Sequence, residues 1–260
     1  MTPVLVFDIE TIPDTAGFAR LHDLPAGIPD SEIAEMALLH RRQATGSDFL
    51  PHYLHRIVAI SCALRTGDQF RVWTLGRDGE SERDIVQRFY DGIEKYTPQL
   101  VSWNGGGFDL PVLHYRGLLH GVTAPRYWDM GDGDYADSRD FKWNNYISRY
   151  HTRHLDLMDL LALYQPRANA PLDDLAKLMG LHGKLGMDGG KVWEAWLEGK
   201  QADIRDYCET DVVNTYLVYN RFRRMRGELT AGEEQAEAEF VRARLGEIGA
   251  QHWREFLAAW

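Results

Sequence analysis

Cysteine is scarce, with Cys62 and Cys208 the only two among 260 residues. Two thiols so far apart cannot make a disulfide framework or a four-cysteine zinc site, and a reducing, cytoplasmic setting is expected. No apolar run approaches the roughly 20 residues that span a bilayer. The longest, residues 57–64, is strand-sized and contains Ser61. The N-terminus lacks the basic flank and apolar stretch of a signal peptide. Basic charge is short as well: 29 Lys and Arg stand against 39 Asp and Glu, and 29 − 39 = −10. That balance excludes a nucleic-acid coat protein held by bulk charge, while leaving room for local or metal-mediated binding. Walker-type Gly-Lys-Ser/Thr is absent, and the glycines at 105–107 do not meet the Gly-x-Gly-x-x-Gly spacing.

What is present is ordinary globular composition, 44% apolar and 26% charged, in a chain long enough for one large α/β domain with or without an extension. Residues 3–10 read as a buried strand that two acids interrupt. Prolines break up residues 13–53, within which 31–43 is helical. Strands are expected at 56–64 and 70–75, joined by the turn at 66–68. Ser81 caps a helix running to about Tyr96. A strand at 99–103 ends in a glycine turn, and a helix follows over 108–120. Residues 129–150 form a polar, aromatic-rich loop. Helices are expected near 156–164, 171–180, 191–197 and 202–225, and a last one starts at the capping box Thr230-Ala-Gly-Glu233. Strands that lead into helices, with an early antiparallel pair, predict a mixed sheet with helices on both faces.

Three elements carry chemistry. Asp8 and Glu10 are two apart on the first strand and so share a face. Like charges at that range resist ionising together unless a cation intervenes, and oxygen-only ligands suit Mg²⁺ or Mn²⁺. Taken alone, the pair is also what a solvated strand end looks like. Asn104-Gly-Gly-Gly-Phe-Asp109 turns tightly at a sheet's carboxyl edge and brings Asp109 to a helix start, either as a further metal carboxylate or as an N-cap. Tyr207 and Asp211 are neighbours on one helix face.

Phe-Asp-Ile-Glu-Thr, Asn-Gly-x-x-Phe-Asp and Tyr-x-x-x-Asp, in this order, resemble the three exonuclease motifs of the tyrosine-type DEDD superfamily. The chain between them is similar to predicted 3′–5′ exonucleases related to the proofreading domain of family-B DNA polymerases. Further marks are His154-Leu-Asp-Leu-Met-Asp159, Lys184-Leu-Gly-Met-Asp-Gly189 and Tyr207-Cys-Glu-Thr-Asp-Val-Val-Asn-Thr-Tyr216. The resemblance covers residues 4–226 and implies an RNase H-like mixed sheet flanked by helices, its second strand antiparallel. Residues 1–226 would be the exonuclease domain and 227–260 a C-terminal helical extension, whose net charge is 3 − 7 = −4. It implies that Asp8, Glu10, Asp109 and Asp211 bind two divalent ions, Mg²⁺ or Mn²⁺, and that Tyr207 orients the attacking water. The implied chemistry is two-metal phosphodiester hydrolysis: one ion lowers the pKa of the water and the other steadies the leaving 3′ oxygen. Nucleoside 5′-monophosphates are the implied product.

Substrate contacts are expected from Asn104, which braces the glycine turn or touches the terminal nucleotide, and from Phe108 and Ile12 at the mouth of the site. Core packing is the competing reading for the last two. Residues 139–153 carry four cations against Asp140, interleaved with Phe141, Trp143, Tyr146 and Tyr150. Trp143 and Tyr146 are candidates for stacking a single strand. His154 and Asp156 resemble family positions near the site, with a structural role preferred to ligation. The substrate expected is single-stranded DNA or frayed ends, as in DNA repair. An exoribonuclease or short-oligonucleotide hydrolase is the alternative, and a nucleic-acid-binding module without turnover is the second. The acidic C-terminal helix is a candidate surface for a protein partner or a homodimer.

Overall fold

The computed structural model describes residues 2–77, 79–181, 183 and 189–260. Five strands make one sheet in the order β3-β2-β1-β4-β5. They are β1 (Val4–Pro13), β2 (His55–Thr66), β3 (Gln69–Leu75), β4 (Gln99–Ser102) and β5 (His154–Asp156). β1, β2 and β3 form an antiparallel meander, whereas β4 and β5 run parallel to β1. The mixed sheet with an antiparallel second strand is therefore as the sequence predicts. The helices are α1 (Thr15–Leu21), α2 (Asp30–Thr45), α3 (Glu82–Tyr96), α4 (Asp109–His120), α5 (Ser138–Phe141) and α6 (Leu157–Leu161). There follow α7 (Leu172–Leu178), α8 (Val192–Leu197), α9 (Gln201–Met225), α10 (Ala231–Ile248) and α11 (Gln251–Ala258). None of the described helices is long and apolar enough to cross a membrane.

Alternation along β1 divides the core in two. Leu5, Phe7 and Ile9 pack with α3 and α4, through Val86, Phe89, Ile93 and Leu113. Val6 points the other way, into a cluster with Val212, Val213 and Tyr216 of α9. Helices thus cover both faces, and α9 lies across β1 and β2. The β1–β2 register slips between Glu10 and Thr11, opposite Val58, a bulge placed where the strand's polar end begins.

Several elements depart from the sequence expectation. α1 lies between Pro13 and Pro25 and contains Gly17, yet Asp14 caps it by accepting from the Gly17 amide at 2.9 Å. β5 has only three residues, too few for a period, and occupies the start of the expected helix at 156. The 129–150 segment is no open polar loop: it contains α5 and sends Phe141 and Tyr146 into the core. The acidic C-terminal segment forms two helices, divided at Gly249 in the left-handed conformation (φ +67°). Val241, Leu245, Trp253 and Phe256 of these helices join the Val6–α9 cluster. Of the Lys184–Gly189 motif, only Gly189 falls within the described residues.

Candidate active site

Asp8 and Glu10 share the face of Val6 through the two-residue period of β1, and that face looks at α9. On α9, Tyr207, Cys208 and Asp211 are all buried. The Cys208 thiol lies 3.5 Å from the Asp8 carbonyl oxygen and 3.6 Å from Asp8 Oδ2. Asp8, Glu10 and Cys208 each offer one ligand atom within 4.8 Å of the other two. Tyr207 shares a side-chain hydrogen bond with Asp211 and lies in the fields of Asp211, Glu10 and Asp8. Burial first, and those charges next, drive its hydroxyl pKa upward, so the phenol keeps its proton.

Asp109 arrives from the other side. β4 pairs with β1 only over Val4–Val6, and past that point Asp109 takes the place of a strand neighbour. Its Oδ1 accepts from the Ile9 amide at 3.0 Å, which seats the carboxylate against the backbone between Asp8 and Glu10. Burial pushes the Asp109 pKa up to about 7, and the nearby Asp156 adds to the push, while hydrogen bonds from the Ile9 amide and its own oppose it. Glu10, Asp109 and Asp211 are buried, and Asp8 is half-buried. The structure thus gathers the five sequence-predicted residues Asp8, Glu10, Asp109, Tyr207 and Asp211 around the polar end of β1.

The glycine turn that delivers Asp109 is braced by Asp156 at the end of β5. Its carboxylate accepts from the amides of Asn104 (2.9 Å), Gly106 (2.8 Å) and Asp159 (3.2 Å). Asn104 adopts φ +69°, and its side chain lies over Gly107, where a Cβ would come 2.4 Å from Asn104 Oδ1. At Gly105 a Cβ would come 2.3 Å from Ser102 Oγ. A side chain at either position would displace Asn104 or Ser102 from its place in the turn. Ser102 in turn bonds buried His154 at 2.8 Å, which assigns His154 a structural contact.

Three neighbouring residues carry no motif and were invisible in the sequence. Phe49, His52 and His55 surround Phe108, with ring centroids 5.5, 5.8 and 5.0 Å away. His52 Nε2 donates to the Gly107 carbonyl at 2.9 Å. Burial pulls the His55 pKa down to about 4, so the ring is neutral: Nε2–H donates to Leu50 O at 3.1 Å and Nδ1 accepts from Thr11 Oγ1 at 2.9 Å. The ring cluster is fastened to the strand beside Glu10 and to the turn beside Asp109. Phe49 is 54% exposed. Only the approach of residues 46–55 to β1 in three dimensions reveals it.

Two expected substrate contacts are corrected. Ile12 is buried with Val192, Ala195 and Ile204: the two-residue period puts it on the Val6 face of β1, and beyond Glu10 that face is covered by α8 and the start of α9. Tyr146 is buried too, stacked on Tyr127 at 5.5 Å with its hydroxyl donating to Pro98 O at 2.6 Å. Trp143, by contrast, is 75% exposed with Lys142 Nζ 5.3 Å over its ring, whereas Phe141 and Tyr146 of the interleaved aromatics are buried.

The clustered donors are carboxylate oxygens, hard ligands that suit Mg²⁺ or Mn²⁺. Cys208 is the one soft donor at hand. Burial, then Asp8 and Glu10, raise its thiol pKa, which keeps it protonated and unsuited to ligation. The set therefore fits divalent cations bound through oxygen.

The family model described as a predicted 3′–5′ exonuclease related to the exonuclease domain of PolB matches residues 47–260. Asp109, Tyr207 and Asp211 lie within the match, and Asp8 and Glu10 precede it. No curated protein sequence matches the chain. Among solved structures, the family B DNA polymerase of the hyperthermophilic archaeon Pyrobaculum calidifontis is similar, with 21% identity and a TM-score of 0.50, over 83% of this chain and 24% of the polymerase. A product-bound exonuclease I has 13% identity and a TM-score of 0.40, over 85% of this chain and 47% of that one. E. coli exonuclease I in complex with a dT13 oligonucleotide has 13% identity and a TM-score of 0.33, over 89% and 46%. The chain spans about a quarter of the polymerase and about half of exonuclease I. The mixed sheet with flanking helices is the RNase H-like fold of the polymerase exonuclease domain. By its match over residues 47–260, the chain belongs to the family of predicted 3′–5′ exonucleases related to the exonuclease domain of PolB, a class of hydrolases.

Proposed function

We propose that the protein hydrolyses phosphodiester bonds one nucleotide at a time from the 3′ end of single-stranded DNA or frayed ends, releasing nucleoside 5′-monophosphates by two-metal chemistry. The observation that carries this reading is the meeting of Asp8 and Glu10 from β1, Asp109 from the glycine turn, and Tyr207 and Asp211 from α9 in one buried acidic site. Asp8, Glu10, Asp109 and Asp211 would hold the ions. Bound there, divalent ions neutralise the acids and stabilise charge developing on the leaving 3′ oxygen. Tyr207, protonated and hydrogen-bonded to Asp211, orients the water for in-line attack. Phe108, with Phe49 and His52 beside it, offers ring faces to the terminal base. Kinship with a DNA polymerase's exonuclease domain favours DNA over RNA.

In this reading residues 1–226 are the catalytic domain and 227–260 an extension that docks on it. A protein partner or a second copy would meet the outward face of α10, where Gln235, Glu239 and Arg242 are exposed. The test is a 5′-labelled single strand incubated with Mg²⁺, Mn²⁺ or EDTA. A ladder shortening from the 3′ end, with 5′-monophosphates released and no cleavage in EDTA, is expected. Cleavage that persists in EDTA, or internal cuts without a ladder, would refute the reading.

A further inference from the structure

A groove of about 920 Å³ begins at the glycine turn, where Asn104, Gly106 and Gly107 form its wall, and runs past β5 and α6 to the C-terminal end of α9. We propose that this groove holds the single strand upstream of the 3′-terminal nucleotide, bound mainly through its bases. The inference rests on the exonuclease reading above for the identity of its occupant.

Continuity with the candidate active site is the first argument. The turn that delivers Asp109 on one side is the wall of the groove on the other, so a strand whose 3′ end lies at the acids has this channel beside it. The second argument is the chemistry of the lining. Tyr150 (72% exposed), Leu163 (74%) and Met225 (71%) present large apolar surface to solvent. The Tyr150 and Tyr164 rings meet edge to face at 5.1 Å, and the Arg149 guanidinium lies 5.0 Å over the Tyr164 ring. Such a surface of rings with the planar cations of Arg149 and Arg226 matches stacked bases, which every nucleotide supplies regardless of sequence. The third is backbone conformation. Leu163 and Tyr164 are consecutive non-glycine residues at φ +50° and +61°. This pair ends α6 and leaves Leu163 standing in solvent; strained backbone of this kind gathers at functional sites.

Charge in the groove agrees with a base-binding role. Asp159 is held by Arg149, with Nε to Oδ2 at 2.6 Å, and Asp156 is taken up by three backbone amides. The acids are thereby occupied, and the phosphates can stay at the solvent side. Bases must be unstacked from a complement to reach the rings, so the groove selects a single strand over a duplex.

Two variants at exposed positions test this in the full-length chain: Tyr150→Ala, which removes a ring, and Met225→Glu, which places a negative charge at the far end. Binding of 5′-fluorescein-labelled oligo-dT of two and of twelve nucleotides is followed by anisotropy with Ca²⁺ in place of Mg²⁺. Wild type is expected to bind the longer strand the more tightly. Each variant should weaken that binding about tenfold while leaving the dinucleotide within about twofold. Equal losses on both lengths, no loss on either, or a wild type indifferent to length would overturn the proposal. The two readings part cleanly. A wild type that binds the long strand through these residues yet shortens nothing in Mg²⁺ sinks the exonuclease reading and keeps the groove. One that shortens strands while both variants bind as wild type does sinks the groove alone.

Discussion

Asp109 is the residue on which burial and function pull hardest against each other. Its carboxyl is buried, and its pKa rises from 3.8 to about 7. A raised carboxyl pKa favours the folded state when protonated. The contribution is fully present below the unfolded value near 3.8 and is lost as pH rises through 7. Metal-free protein should therefore lose thermal stability from this group between pH 4 and 7. Added Mg²⁺, which favours the carboxylate, should restore it at pH 7. Asp109→Asn, which cannot ionise, should flatten that part of the profile. Melting temperature against pH, with and without Mg²⁺, checks the expectation; identical profiles for wild type and Asp109→Asn would contradict it. Cys208 and Tyr207 show the same physics with opposite use. Burial beside acids keeps both protonated, leaving one a bystander to oxygen ligation and the other a hydroxyl with a proton to place.

At the scale of elements, α9 binds the molecule together. Its N-terminal half carries Tyr207 and Asp211 to the site, and the same helix receives the C-terminal helices. Glu237 of α10 accepts from Arg65 of β2 at 2.6 Å and from the Tyr216 hydroxyl of α9 at 2.7 Å. His252 of α11 lies between Asp206 and Glu209 of α9, at 3.2 and 3.1 Å. Glu209 also accepts from Thr74 of β3 at 2.8 Å, so one carboxylate ties α9 to both the sheet and α11. Burial lowers the His252 pKa, but hydrogen bonds and charge from Asp206 and Glu209 outweigh it, and the net value rises from 6.5 to about 9. The stabilisation is fully present below pH 6.5 and is lost as pH rises through 9. Hydrogen exchange of α11 amides should accelerate between pH 7 and 10 beyond the intrinsic rate. His252→Ala should remove that excess pH dependence. An α11 whose protection is equally pH-dependent in both proteins would refute the assignment.

For the whole molecule, sequence legibility followed length and period. The strands at 56–64 and 70–75 and the helices from Ser81 and across 202–225 were readable because apolar spacing repeats over many residues. The five acid and tyrosine positions were readable because motifs and their order survive without a structure. Short pieces were not: β5 has no period, and α1 sits between apparent breakers. Ile12 and Tyr146 misled because apolar or aromatic residues near a motif look alike whether they face the core or the solvent. Burial, decided by the cover of α8 over Ile12 and by packing of Tyr146 against Tyr127, separates the two cases. Phe49, His52 and His55 reach Phe108 only through the path of the chain from α2 back to β2. Such proximity leaves no local trace.

The central claim is that three separate elements supply one metal-dependent hydrolytic centre. Its most direct test is the rate of 3′-nucleotide release from a labelled single strand in saturating Mg²⁺, for wild type and for Asp8→Asn, Asp109→Asn and Asp211→Asn, each confirmed folded by circular dichroism. Loss of a ligand to ions worth several kcal/mol should slow each variant at least about a hundredfold. A variant from any of the three elements that releases nucleotides at the wild-type rate would contradict the account.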